Sequence, residues 1–154
     1  MLLCTSLGMS ANNIYELSAA TCSASSGAVG PWSFQGGFSV MASDASKTYQ
    51  AANGGIKYSA GLQYTITLPE GVSVKHVEIY GYDNYPDVDS YLGELNGKEY
   101  SATAIVFPQK TANGSTVPVT RGVTLVEAAT GTLTFTPQGK QVVWTLRLYD
   151  YNPA

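Results

Sequence analysis

Short runs in which apolar and polar residues alternate, each closed by a turn signal, recur throughout this chain. The clearest run is L-Q-Y-T-I-T-L at residues 62–68, where every second residue is apolar. This two-residue period places the apolar side chains on one face of a β-strand. Similar runs follow at intervals of about ten residues, and no helical pattern extends beyond about two turns. The sequence therefore predicts an all-β fold, an antiparallel β-sandwich of jelly-roll-like form.

Individual turns and strands can also be predicted. Asn96-Gly97 is the strongest short hairpin signal in the chain. Val74 is out of phase with Val77, so we expect a β-bulge near Lys75 and His76. Residues 117–126 contain a proline and predict an edge strand. Residues 132–136 and 142–148 flank the turn Pro137-Gln138-Gly139 and predict a terminal hairpin.

Length and charge restrict the classes of protein to be considered. The 154 residues suit one domain with a sizeable core, and only 12% of them are charged. The net charge of −3 and the lack of a Lys/Arg cluster argue against nucleic acid, because phosphate binding needs concentrated positive charge. No apolar run approaches the roughly 18 residues of a membrane-spanning helix, so no membrane partner is expected.

The first residues resemble the tail of a leader segment. Residues 1–11, M-L-L-C-T-S-L-G-M-S-A, form a short apolar run that ends in small residues, which is typical of the end of a secretory signal peptide. We therefore expect residues 12–154 to form a single β-sandwich module that is secreted or on the cell surface. Cys4 and Cys22 allow one disulfide but do not require it; if Cys4 belongs to the leader, Cys22 is a lone thiol.

Unusual residues concentrate between positions 77 and 100. This stretch holds five of the eleven tyrosines and six of the eleven acidic residues. Flat rings beside carboxylates and amides suit a sugar, which offers an apolar C–H face for stacking and hydroxyl groups for hydrogen bonds. The predicted carbohydrate-binding residues lie on one strand and the loop after it: Tyr80, Tyr82, Asp83, Asn84, Tyr85, Asp87, Asp89 and Tyr91. The tyrosines would supply affinity and the polar residues selectivity. Trp32 and Tyr58 are the next candidate platforms, although a core position is favoured for Trp32.

The same residues allow other interpretations. The tyrosines could be cross-strand packing partners. The acidic set Asp83, Asp87, Asp89, Glu94 and Glu99 could supply the two carboxylates of a glycosidase, although a solvated loop is preferred. Asp87 and Asp89 could bind calcium, although a solvated acidic turn is again preferred and no other cofactor is expected. His76 is the single histidine and has no nucleophile in its motif, so the prediction is a non-catalytic protein.

A resemblance to a known family points the same way. The run I-K-Y-S-A-G-L-Q-Y-T-I-T-L-P-E-G-V-S-V-K-H-V-E-I-Y-G-Y-D-N-Y, then Y-L-G-E-L-N-G-K-E-Y and G-T-L-T-F-T-P-Q-G-K-Q-V-V-W-T-L-R-L-Y, is similar to β-sandwich modules appended to secreted polysaccharide-degrading proteins of gut-type bacteria, pectin-active ones among them. The resemblance covers roughly residues 30–150 and implies a non-catalytic carbohydrate-binding module.

The expected partner is a plant cell-wall polysaccharide, namely xylan, glucan or pectin, bound by a module attached to or working beside a carbohydrate-active enzyme. The loop carboxylates would repel a polyuronate unless calcium bridged them to the carboxylates of the sugar, and this repulsion favours neutral chains. The resemblance, in contrast, favours pectin. The alternatives are a small polysaccharide-cleaving glycoside hydrolase or lyase that uses the loop carboxylates, and a protein-binding accessory or adhesin domain.

Overall fold

The structure is a computed structural model, and it describes residues 12–25, 27–44, 46–47, 49–52, 54–84, 90–108, 117–139 and 141–153. The strands in these ranges are β1 Ile14–Ser18, β2 Trp32–Ser33, β3 Ser39–Ala42, β4 Ala51–Ala52, β5 Gly55–Tyr58, β6 Tyr64–Thr67, β7 Ser73–Asp83, β8 Ser90–Leu95, β9 Lys98–Glu99, β10 Val106–Phe107, β11 Val119–Thr130, β12 Thr132–Gln138 and β13 Gln141–Tyr149. Two short 3₁₀ helices span Ala19–Thr21 and Gln35–Gly37.

The strands form two antiparallel sheets that pack face to face. Sheet A has the order β11-β7-β13-β5-β4, and β1 pairs with β13 on the same side as β5. Sheet B has the order β10-β8-β12-β6-β3-β2, with β9 paired to β8. The predicted all-β sandwich is confirmed. None of the helices in the described ranges has the length and apolar character needed to cross a membrane.

The core between the sheets is rich in aromatic rings. Trp32 is 2% exposed, and its ring centroid lies 5.5 Å from that of Tyr49 and 6.2 Å from that of Tyr64. Tyr58 packs edge-on against Tyr64, with 4.7 Å between ring centroids, and is also buried. The prediction of a core position for Trp32 is confirmed. Neither Trp32 nor Tyr58 is accessible as a surface platform, because both rings fill the space between the sheets.

Several predicted details are confirmed. Asn96 and Gly97 have φ values of 50° and 85°, so both central residues of the β8–β9 turn are left-handed, as a tight hairpin requires. β11 lies at the edge of sheet A. The expected irregularity lies beside His76, but its extra residues belong to β11, where pairing with β7 shifts between Thr124 and Ala129.

The predicted terminal hairpin is wrong. β12 pairs with β6 and β8 in sheet B, whereas β13 pairs with β7, β1 and β5 in sheet A. The turn near Gly139 therefore carries the chain from one sheet to the other. Turn residues indicate that the backbone reverses, but the partner of the next strand depends on which distant strands offer a matching apolar face.

Candidate functional site

The outward-facing side of sheet A carries acidic, basic and aromatic side chains on neighbouring strands. We call this surface the outer face and define it by His76, Glu78 and Tyr80 of β7, Arg147 and Tyr149 of β13, and Glu16 of β1. The strand register places these residues in three cross-strand rows: Thr124, His76, Tyr149 and Ile14; Gly122, Glu78, Arg147 and Glu16; Thr120, Tyr80, Thr145 and Ser18.

Alternation along the strands explains why these side chains point outward. Val77 and Ile79 of β7 are buried in the core, so Glu78 and Tyr80 lie on the opposite side of the strand. On β13 a register shift between Val143 and Thr145 changes the phase. After the shift, Leu146 and Leu148 are core residues. Arg147 lies between them in sequence and therefore points to the outer side.

The middle row is an ion-pair network. The Arg147 Nε atom donates to Glu16 Oε1 at 2.9 Å, and the Arg147 Nη1 atom lies 3.8 Å from Glu78 Oε2. The hydrogen bond with Glu16 is the main reason that the pKa of Arg147 is raised above its ordinary value. Arg147 and Glu16 are about half exposed, so solvent screens the network and its contribution to stability is small. Its charged groups remain accessible to a ligand.

The row containing His76 is packed more tightly. The His76 and Tyr149 ring centroids lie 5.3 Å apart in an edge-on arrangement. The Tyr151 ring centroid lies 5.4 Å from that of Tyr149. Burial is the main reason that the pKa of Tyr149 is raised, and a hydrogen bond to the Glu78 carboxylate adds to it. Burial lowers the pKa of His76, while the negative charge of Glu78 partly opposes this shift. The imidazole is therefore mainly neutral at pH 7.

The sequence predicts a β-bulge near His76 and offers this residue no nucleophile in its motif. His76 lies beside the irregular part of the β7–β11 ladder, but it is only 8% exposed. Its Nδ1 atom forms a hydrogen bond with Thr124 Oγ1 at 2.9 Å. A Cβ atom at Gly122 would lie 3.0 Å from His76 Nε2, so the glycine leaves room for the imidazole. The imidazole is thus contacted by the Thr124 hydroxyl group and by the Tyr149 ring.

The outer face ends in a groove where β1 and β7 begin and β13 ends. The groove has a volume of about 370 Å³ and is lined by Asn12, Asn13, Tyr15, Gly71, Ser73, Lys75, Asp150 and Tyr151. The backbone N–H and side-chain amide of Asn13 donate to the Asp150 carboxylate at 2.8 and 2.7 Å, which ties the two strand ends together. Two tyrosine rings, an ammonium group, a carboxylate and two amides therefore meet in one concave surface.

The structure places the predicted site residues in different environments. Tyr80 is half-buried on the outer face. Tyr82 points to the same side of β7, as alternation predicts, but it is only 1% exposed, as is Asp83. Those two side chains are therefore inaccessible to a ligand on this surface, which corrects the expectation that they form part of the exposed platform. Val142, the cross-strand neighbour of Tyr82, is equally buried.

The remaining predicted residues divide between the sheets and the undescribed loop. Tyr91 is half-buried on β8 and therefore belongs to sheet B, away from the sheet that carries Tyr80. Asn84 is half-buried at the end of β7. Tyr85, Asp87 and Asp89 lie outside the described residues, so the calcium prediction on the two aspartates lies there too. No group of three or more His, Cys, Asp or Glu side chains that could hold a metal ion occurs within the described ranges.

Glu94, one of the acidic residues considered for catalysis, is a hydrogen-bond acceptor within sheet B. Its Oε1 atom accepts from Thr134 Oγ1 at 2.6 Å and from the Gly97 backbone N–H at 2.7 Å. Its Oε2 atom accepts from Thr136 Oγ1 at 3.0 Å. This carboxylate joins the β8–β9 hairpin to β12.

Sequence reasoning missed Arg147, Tyr149, Tyr151 and Glu16 as parts of a site. A local signal existed, since R-L-Y-D-Y at 147–151 places an arginine and two tyrosines at alternate positions.

Comparison with known proteins adds no family: no protein-family model matches the chain, and no curated protein is significantly similar to it in sequence.

Proposed function

We propose that this protein is a non-catalytic carbohydrate-binding module whose outer face binds a polysaccharide chain. The observation that carries the proposal is the placement of two half-buried rings, Tyr80 and Tyr151, on opposite sides of the charged middle row of sheet A. Rings offer stacking surfaces for the C–H faces of sugars, and the charged row offers partners for their hydroxyl groups.

The dimensions favour a chain over a single sugar. Tyr80 and His76 are four residues apart on β7, which corresponds to about 13 Å. Tyr149 lies opposite His76, and Tyr151 packs against Tyr149. This backbone spacing exceeds the width of one sugar ring, so the proposed ligand is a chain of several sugar units that extends from Tyr80 past Tyr149 to Tyr151.

The charged row supports binding rather than cleavage. Glycoside hydrolysis uses two carboxyl groups in surroundings that favour different charge states. Glu16 and Glu78 instead both lie beside the guanidinium group of Arg147, at 2.9 and 3.8 Å from its nitrogen atoms, and so do not form two carboxyl groups in contrasting surroundings. In the proposal, these groups donate and accept hydrogen bonds without turnover, and the module is secreted and works beside a carbohydrate-active enzyme on a plant cell-wall polysaccharide.

The proposal is tested by affinity gels and calorimetry with xylan, glucan, mannan and polygalacturonate, together with an assay for new reducing ends. We expect Tyr80→Ala and Tyr151→Ala each to weaken binding of the preferred polysaccharide by about 1–3 kcal/mol, on the scale of ring stacking on nucleic-acid bases. Tyr91→Ala is the matched control, because this half-buried tyrosine belongs to the other sheet.

Two results would contradict the proposal. Binding that is lost in Tyr91→Ala and retained in both outer-face variants would move the site to sheet B. Release of reducing ends, abolished by Glu78→Gln while the fold is kept, would replace binding with catalysis. Repeating the polygalacturonate titration with calcium and with chelator tests the proposed cation bridge, since calcium-dependent binding that is lost in Asp87→Ala would support it.

A further inference from the structure

A second concave site lies on the other side of β1. The cleft has a volume of about 460 Å³ and is formed by β1, the 3₁₀ helix Gln35–Gly37 and the turn between β6 and β7. Its lining residues are Ile14, Tyr15, Glu16, Gln35, Gly36, Phe38, Pro69 and Val72. This volume is in the range of small-ligand sites in proteins.

The lining combines an apolar floor with a polar rim. Tyr15 and Phe38 are in ring contact with 5.2 Å between their centroids, and Ile14 is 48% exposed at the edge. Gln35 is exposed, and Glu16 is held in place by its hydrogen bond from Arg147. The amide of Gln35 can donate and accept, while the Glu16 carboxylate accepts. This pattern matches a pyranose, which has one apolar face and hydroxyl groups at its edge.

We propose that this cleft binds one neutral sugar residue at the end of the polysaccharide chain. The inference rests on the proposed function and names the class of sugar that the module accepts. None of the described residues that line the cleft is cationic, and the single charged one is Glu16. The nearest cation, Arg147, does not line the cleft, and its Nε atom is already hydrogen-bonded to Glu16. A uronate in the cleft would therefore place its carboxylate near that of Glu16 with no cationic lining residue to pair with, whereas a neutral sugar meets no such repulsion.

The position of Glu16 connects the cleft to the outer face. Its carboxylate lines the cleft and also accepts from Arg147 in the middle row of the outer face. A chain that lies across sheet A can therefore reach the cleft at the edge formed by β1. This arrangement gives the end of the chain a different environment from its interior units.

The test uses the whole protein labelled with ¹⁵N, with neutral xylohexaose and cellohexaose and anionic hexagalacturonate as probes. We expect the preferred neutral hexasaccharide to shift the backbone amide signals of Ile14, Gln35 and Gly36. Gln35→Ala should weaken this binding about fivefold, the effect of one lost hydrogen bond. Val72→Phe should fill the cleft and remove the shifts. Gln63→Ala is the matched control, because this exposed glutamine does not line the cleft.

The outcomes separate this inference from the proposed function. If Tyr80→Ala weakens binding while Gln35→Ala and Val72→Phe bind as the unchanged protein does, the cleft inference is wrong and the outer face stands. Equal or larger shifts of the cleft amides with hexagalacturonate would overturn the preference for neutral sugars. If none of the polysaccharides or hexasaccharides binds the unchanged protein, both the inference and the proposed function fail.

Discussion

Replacing Glu94 should show that this carboxylate stabilises the fold instead of performing chemistry. It accepts three hydrogen bonds, from the hydroxyl groups of Thr134 and Thr136 and from the backbone N–H of Gly97. These bonds connect the hairpin turn to the neighbouring strand of sheet B. The side chain is half-buried, so water competes with the donors only in part.

The magnitude follows from the number and kind of these bonds. A hydrogen bond to a charged group contributes about 1.5–3 kcal/mol and a neutral one about 0.5–1.5 kcal/mol. Glu94→Gln keeps an acceptor for Thr134 and Gly97 but loses the charge, so we expect a loss of about 1–2 kcal/mol. Glu94→Ala removes all three bonds, and since water replaces them in part we expect about 2–3 kcal/mol, or a decrease in Tm of roughly 4–12 °C.

Chemical and thermal denaturation of the two variants measure these losses. Glu99→Gln is an informative control, because Glu99 lies opposite Glu94 in the β8–β9 pair and like charges at such positions repel. It removes the same charge and should raise stability slightly. Equal shifts of the midpoint in Glu94→Gln and Glu99→Gln would refute the network and leave net charge as the cause.

Two further predictions concern stability. Gly139→Ala should lower the free energy of unfolding by about 2–5 kcal/mol, because φ is 96° and the new Cβ atom would clash with the Cβ atom of Ser90. Gly71→Ala, with φ of 81° and open space, should lower it by only about 1–2 kcal/mol. Similar Tm values for the two variants would contradict this. The pKa of His76 is lowered on folding, so the unfolded chain binds this proton more readily than the folded protein does. The free energy of unfolding should therefore fall as the pH decreases from about 7 through the ordinary histidine pKa near 6.5 and down to the folded value. His76→Gln should lack this part of the pH dependence, and unchanged slopes of unfolding free energy against pH would argue against it.

The sequence was sufficient to predict local structure because the period of a strand and the chemistry of a turn lie within a few residues. The run at 62–68 contains β6, Tyr64–Thr67, and Asn96-Gly97 forms a tight hairpin turn. Sheet membership could not be predicted in this way, since it depends on strands that are distant in sequence. The turn before β13 looked like a hairpin, yet it leads into the other sheet.

The candidate site was harder to predict for two physical reasons. Glu16 and Arg147 are 131 positions apart and meet only because β1 pairs with β13. Tyr82 has the same outward phase as Tyr80, but outward direction does not ensure exposure, and its side chain is buried. Alternation indicates which side of a strand a residue occupies, whereas accessibility depends on what covers that side.

The central position of β13 has a consequence for biosynthesis. This strand lies in the middle of sheet A, with β7 on one side and β1 and β5 on the other, although it follows all the other described strands in sequence. All strands of sheet B precede it. A nascent chain on the ribosome can therefore pair sheet B while β1 and β5 still await their partner. We expect the outer face, with Arg147 in its middle row, to be assembled only after translation has passed β13.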